Sequence, residues 1–277
     1  MVKVSLFASA VRPKLWESMF KSLEKNEVEF EVVFAGPLTL DEIEESYTGE
    51  MLPYWFKYIT TGNIKPSQCY EVARRACRGG LVNWTADDCE YEPGLLDDIH
   101  EFWNSLNDWK IIVSVATNEN NSFNNLNDHR FFGWNVNTPQ MAPLGFMSRT
   151  WLEELGGLDR RYVCGQYEND IVMRSNQFGG KVIKYFDKCV NIEHLKKHGP
   201  KSDFWSGWGH DREVLENSWV VGGSKPYPDI ALDIKKKEAF YPIVADREVM
   251  REQIDKFEPF EDEDILTKSQ SFKGEWE

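Results

Sequence analysis

The chain has 277 residues, and its 32 Lys and Arg stand against 46 Asp and Glu, a net charge of −14. That balance excludes general binding to nucleic acid or to an anionic membrane, which needs a basic footprint, but not an anionic substrate held through a bridging metal. Hydrophobic residues at 41% suffice for a core, and 14% aromatics with 11 Trp point to a platform for flat ligands such as sugars or bases.

An apolar run predicts a first buried strand over 2–8. Lys3 and Ala8-Ser9-Ala10 give this run the look of a signal peptide, but it is short and Ser5 interrupts it. Pro13 opens a helix with Leu15, Trp16, Met19, Phe20 and Leu23 at helical spacing. A strand over 29–35 is stopped by Gly36-Pro37. Ser67 caps a helix carrying Val72, Ala73, Ala76 and Cys77, which Gly79-Gly80 ends. A strand over 81–86 is followed by Asp87 and Asp88, and Pro93-Gly94 leads into a helix through Leu95, Leu96, Ile99 and Phe102. Next comes a strand over 110–116, then an Asn-rich stretch over 118–137 that reads as a long binding loop or lid. A strand over 141–147 and a short helix over 149–155, ended by Gly156-Gly157, precede a helix over 168–178 and strands over 181–185 and 189–194.

This alternation predicts an α/β fold with a mostly parallel central sheet flanked by helices. It occupies one domain over 1–222, with a polar extension over 223–277 that packs on the domain or mediates association and carries one helix near 247–257. Ligands of such sheets bind beyond the carboxyl ends of the strands, where Asp87 and Asp88 sit. Cys69, Cys77, Cys89, Cys164 and Cys189 are odd in number and lack a CxxC, which argues against a disulfide framework or zinc site and for a reducing compartment. No apolar run reaches the roughly 18 residues of a membrane span. The expectation is a soluble cytoplasmic protein without a membrane anchor, in a cell or a virus-infected host.

Three constellations carry chemistry. Thr85-Ala86-Asp87-Asp88-Cys89-Glu90 offers hard oxygen ligands to Mg²⁺ or Mn²⁺ at a strand end. Tyr167-Glu168-Asn169-Asp170-Ile171-Val172-Met173-Arg174 puts two carboxylates in the first turn of a helix, where one facing a cleft would serve as a general base. Val190-Asn191-Ile192-Glu193-His194 is a strand ending in an imidazole that would complete a metal shell. Taken singly, each has a plain structural explanation: turn-forming aspartates, dipole complementation, a surface histidine.

In order, and with Leu155-Gly156-Gly157-Leu158-Asp159 between the first two, they resemble the GT-A glycosyltransferases of family 2 over about 2–219. The resemblance implies an inverting transfer of a sugar, a hexose in the UDP-sugar class, to a glycan or other hydroxyl acceptor with Mn²⁺ or Mg²⁺. On it, Glu168 falls on the catalytic Asp, Tyr167 on the preceding Glu and Asp170 on the second Asp of that motif. Asp88 matches the metal-binding last Asp of the Asp-x-Asp motif, and His194 the late metal-ligand His. Ala86 stands where the first Asp of that motif belongs, so ribose contact passes to Asp87. Ala8, Ser9 and Arg12 lie where the first strand's loop meets the nucleotide, and Lys65 on the diphosphate side. The second strand ends Phe34-Ala35-Gly36 without the Asp that contacts the base. Trp134, Trp151 and Trp208 are candidates for stacking on a sugar ring. Acceptor specificity would reside in 118–140 and 162–166, and the extension could make a homo-oligomer. Two alternatives remain: a non-catalytic nucleotide-sugar or glycan-binding protein on this scaffold, and a sugar-phosphate nucleotidyltransferase, whose glycine-rich loop is missing after the first strand.

Overall fold

The structure, a computed structural model, describes residues 2–61, 65–119, 122–124, 142–159, 162–192, 210–212, 215, 219–221 and 234–236. Its first half alternates β1 (Val4–Ser9), α1 (Pro13–Leu23), β2 (Phe30–Gly36), α2 (Leu40–Ser46), β3 (Phe56–Thr60), α3 (Pro66–Arg75) and β4 (Leu81–Trp84). Then follow β5 (Cys89–Tyr91), α4 (Leu95–Ser105), β6 (Ile111–Glu119), β7 (Ser122–Asn124), β8 (Gly145–Ser148), α5 (Arg149–Glu154), α6 (Tyr167–Gln177) and β9 (Lys181–Ile192). A separate antiparallel pair joins β10 (Trp219–Val221) to β11 (Ile234–Lys236).

The main sheet runs β3-β2-β1-β4-β8-β6-β9-β5, with β7 paired onto β6. Strands β3, β2, β1 and β4 are mutually parallel, β6 and β9 are parallel, and β8 and β5 pair antiparallel to their neighbours. This is the expected α/β architecture, helices flanking one central sheet, but the sheet is mixed: four of its eight strand pairings are parallel and four antiparallel, those of β8, β5 and β7. Helix α3 packs on β1 and β2, α4 on β6 and β9, α5 on β8 and α6 on β9. Strand β1 is buried along its whole length, as a central strand covered on both faces must be.

Several elements differ from the sequence reading. Helix α2 and strand β3 were not expected; α2 is short and acidic and buries only Ile43, so its apolar periodicity is slight, and a Thr39–Glu42 capping box holds its start. The cap of α3 is Lys65, with Pro66 in the first turn and Ser67 inside the helix, and the helix stops at Arg75, well before Gly79-Gly80. The two strands expected over 181–185 and 189–194 are one strand, β9, broken by a bulge: Val115 pairs with Tyr185 but Ala116 with Cys189. The extension over 223–277 and the helix near 247–257 lie outside the described residues, apart from β11.

Aromatic residues serve the core before any ligand. Trp16 lies 5.3 Å from Phe34, 5.4 Å from Phe56 and 5.6 Å from Tyr58 by ring centroid, and Phe20 lies 4.9 Å from Phe56. Trp151 is buried, donates to Ser175 Oγ at 3.0 Å and sits under the Lys110 ammonium, so it belongs to the core; Trp134 and Trp208 lie outside the described residues. All five cysteines are buried free thiols. No helix among the described residues is long and apolar enough to cross a membrane.

Two buried carboxylates tie strands to turns. Glu31 accepts from Ser5 Oγ at 2.7 Å and from Arg78 N at 2.6 Å, fixing the turn into β4. Glu71 in α3 accepts from Arg74 Nε at 2.7 Å, Arg75 Nε at 2.8 Å and Leu158 N at 3.0 Å. Burial would push the Glu71 carboxyl up, but the Arg74 and Arg75 guanidiniums outweigh it and hold it down at about 2. The stability this contributes is fully present above the ordinary Glu value and is lost as pH falls through about 2.

Two outcomes follow. Glu71→Gln destabilises by about 3–5 kcal/mol at neutral pH, because Arg74 loses its buried counter-charge, and in urea titrations the difference from wild type shrinks as pH falls from about 4.5 toward 2. Gly145→Ala costs about 1–3 kcal/mol or more, because its new Cβ would fall within the Trp84 ring, whose indole is itself held by the Ala142 carbonyl.

Candidate functional site

The site forms at the carboxyl edge of the parallel strands, where β1 and β4 end side by side. Asp87 and Asp88 follow β4, and the loop after β1 brings Arg12 onto them. Asp87 Oδ2 accepts from Val11 N at 3.0 Å and Arg12 N at 2.9 Å, while its Oδ1 takes Arg12 Nε at 2.9 Å and Nη2. Arg12 Nη1 also reaches Asp88 Oδ2 at 2.9 Å. One guanidinium therefore bridges both carboxylates, in charge-assisted hydrogen bonds to Asp87 and an ion pair with Asp88. Burial alone would lower the Arg12 pKa, but the two aspartates more than offset it and the guanidinium stays firmly charged. Both Asp87 oxygens are thus engaged within the protein. Ala8 and Ser9 are buried in the end of β1.

The second wall is the start of α6. Tyr167 is buried with its ring centroid 4.7 Å from that of Tyr70, and Tyr70 donates its hydroxyl to the Thr85 carbonyl at 2.5 Å. This bridge couples the Glu168 turn to the Asp87-Asp88 loop. Glu168, next in the helix, is only partly covered, yet the surrounding protein desolvates its carboxyl and pushes it up to about 7, with the charge of Asp211 adding to the rise. Asp170 points to a different task. Its Oδ2 takes Arg174 Nε at 2.6 Å, and Arg174 in turn donates to the Leu155 and Gly157 carbonyls. The pair anchors α6 to the Gly156-Gly157 turn, where Gly157 has φ +75° and a Cβ would meet Arg74.

The loop over 162–166 enters α6 through Gln166, whose φ of 66° is a left-handed conformation rarely taken by residues other than glycine. Its amide is engaged: Asn169 Nδ2 donates to Gln166 Oε1 at 2.6 Å. Ser67 N donates to the Val163 carbonyl at 3.0 Å, so the start of α3 lies against this loop, and Lys65 acts electrostatically on Cys164 within it. Sequence reasoning missed four residues here. Ser67 Oγ, Gln68 Nε2 and Asn169 Oδ1 are buried polar atoms without a hydrogen-bond partner among the described residues, as groups awaiting a ligand would be. Ser67 had been read as a cap; Gln68 and Asn169 carried no signal. The fourth, Asp211, is fully buried and accepts three backbone N–H bonds from the loop.

The donor chemistry suits a hard divalent ion only in part. Asp88 is a buried carboxylate, but among the described residues no group of three or more His, Cys, Asp or Glu converges on one point. The His194 position lies outside the described residues. The last residue of β9 before it, Ile192, pairs with Cys89, the neighbour of Asp88, so two residues of chain separate His194 from that pairing.

No protein-family model and no curated protein matches the sequence. Solved structures do. The crystal structure of S. aureus TarS 1–349 superposes with a TM-score of 0.53 at 13% identity, over 69% of this chain and 60% of that one. Its complex with UDP-GlcNAc gives 0.52 at 16% identity, over 69% and 58%. A longer TarS structure gives 0.54 at 15%, over 69% of this chain and 37% of that one. The chain thus spans less than two thirds of the length of these neighbours. The likeness establishes the fold alone, a GT-A, Rossmann-like arrangement.

The geometry separates the two aspartates. Asp87→Ala strands the Val11 and Arg12 N–H groups and costs roughly 2–3 kcal/mol. Asp88→Ala leaves Arg12 paired with Asp87 and stays within about 1 kcal/mol of wild type in chemical denaturation.

Proposed function

We propose that this chain is a metal-dependent, inverting glycosyltransferase that moves a hexose from a nucleotide-sugar of the UDP class to an acceptor hydroxyl, with Glu168 as general base. The observation that carries this reading is the tyrosine bridge: Tyr167 on Tyr70, and Tyr70 on Thr85, tie the helical turn that bears a carboxyl of elevated pKa to the segment that leads into the acidic loop at the carboxyl edge of the sheet. Support also comes from the neighbours, since TarS has been crystallised with UDP and with UDP-GlcNAc.

In this reading Glu168 accepts the proton of the acceptor hydroxyl as that oxygen bonds to the anomeric carbon. The bond from the anomeric carbon to the diphosphate oxygen breaks on the opposite face, and its electron pair leaves with the diphosphate. A carboxyl held at about 7 is a stronger base than an ordinary Glu and is still ionised in good part at neutral pH. Asp88 and His194 would hold Mn²⁺ or Mg²⁺, which supplies charge neutralisation for the departing diphosphate. Ala8, Ser9, Arg12 and Lys65 line the donor side, with the unpartnered Ser67 and Gln68 groups beside them. Asp87 and Asp170 serve this site as scaffold: their oxygens engage Arg12 and Arg174 rather than the ribose or the acceptor.

The test is nucleotide release from a panel of nucleotide-sugars with Mn²⁺, against an EDTA control. Release of UDP from one donor, lost with EDTA and reduced about 10²–10⁴-fold in Glu168→Gln, is the expected result; absence of any nucleotide binding overturns the reading. Because only ionised Glu168 takes the proton, kcat/KM rises about tenfold per pH unit below pH 7 and levels off above it.

A further inference from the structure

Asp211 is an acid that neither the motifs nor the proposed chemistry uses. It is fully buried, and the loop it holds lies 46 to 48 residues earlier in the chain. Its Oδ1 accepts from Val163 N at 2.8 Å, and its Oδ2 from Cys164 N at 2.6 Å and Gly165 N at 2.7 Å. Three consecutive amides converging on one carboxylate form a backbone nest, an arrangement that favours an anion. On its other side the same loop accepts from Ser67 N at the start of α3. Gln166 then turns through its left-handed conformation into α6, and Glu168 stands in the first turn. The place of the Glu168 carboxyl is therefore set by a loop gripped from both sides, and one grip is a negative charge.

We propose that Asp211 is the positioning residue of the site: its carboxylate fixes the 163–165 loop and, through that loop, sets where the Glu168 carboxylate stands and which charge it faces. The inference rests on the reading of Glu168 as base. Among the described residues, the charged and titratable groups around the nest are Glu168 and Tyr167 on α6, Cys164 in the loop, Lys65 at the start of α3, and His210 and Arg212 on either side of Asp211 in the chain. Lys65 lowers the Cys164 thiol and His210 lowers the Asp211 carboxyl, whereas the charge of Asp211 raises the Glu168 carboxyl, as a like charge must. The Cys164 thiol is pushed up to about 12 by burial, with Asp211 adding to the rise, and so stays neutral. Asp211 is itself shifted upward by burial while the three amides pull it back.

The experiment reads no turnover. In the full chain carrying ¹³C-labelled Glu carboxyls, the Glu168 signal is assigned with Glu168→Gln and followed from about pH 4 to 9. In Asp211→Asn the Glu168 midpoint falls by about half a unit or more, since a neighbouring like charge is gone. An unchanged midpoint in a folded Asp211→Asn protein overturns the proposal and leaves Asp211 a purely structural group. Should that variant not fold, hydrogen exchange in the wild-type chain decides. The 163, 164 and 165 amides are expected to be protected at neutral pH and to lose protection together as the pH falls and Asp211 is protonated. Free exchange of these amides at neutral pH, or protection that ignores pH, overturns it. Absence of nucleotide-sugar turnover in the preceding assay would count against the transferase reading alone, since neither of these measurements depends on it.

Discussion

The carboxylate of Asp87 is the joint on which the rest of the site is built. A parallel sheet leaves strand ends as separate loops with unsatisfied backbone donors, and nothing in strand pairing itself ties the loop after β1 to the loop after β4. Asp87 does so by accepting from the Val11 and Arg12 amides and from the Arg12 side chain at once. Its fixed position lets the same guanidinium reach Asp88. Two adjacent acids would otherwise repel each other at a buried site, and the Arg12 guanidinium between them offsets that repulsion.

Three further buried ionic groups do comparable work at turns rather than at the site. Glu31 holds the entry to β4, Glu71 holds Leu158, and Arg174, oriented by Asp170, holds the Leu155 and Gly157 carbonyls. The last two grip the Gly156-Gly157 turn from α3 and α6. Its acids divide by environment. Asp170 meets a guanidinium at hydrogen-bond distance, whereas Glu168, two residues earlier, is desolvated without such a partner among the described residues, and burial raises its carboxyl to about 7.

Much of this was legible in the sequence. Strands β1, β2 and β4 and helices α1 and α3 followed from apolar runs with clear stops, and the Asp pair, the Gly-Gly turn and the start of α6 were readable as blocks. What escaped had physical reasons. Helix α2 buries one side chain and β3 is an edge strand, so neither carries strong periodicity. The aromatic content suggested a ligand platform, but Trp16, Phe20, Phe34 and Phe56 form a cluster inside the protein. Asp211 was illegible because its partners are backbone amides, which have no side-chain signature. The task of Asp170 was likewise hidden: spacing showed a pair of acids, and only contact with Arg174 assigned one of them to the scaffold.

The bulge in β9 has its own consequence for how this chain can change length. Phe186, Asp187 and Lys188 stand between Tyr185 and Cys189, whose partners on β6 are adjacent residues. Side chains alternate between faces with a period of two, and in-register neighbours point the same way. An odd number of extra residues therefore swaps the faces served by odd and even positions beyond it. Asn191 consequently faces the same side as Asn118, whose amide donates to it at 2.8 Å. The bulge can change length without turning the end of β9 over as long as Cys189 still pairs with Ala116, whereas a slip of that pairing by one residue would carry every side chain beyond it to the opposite face and part Asn191 from Asn118. Register, more than length, is what this corner of the protein depends on.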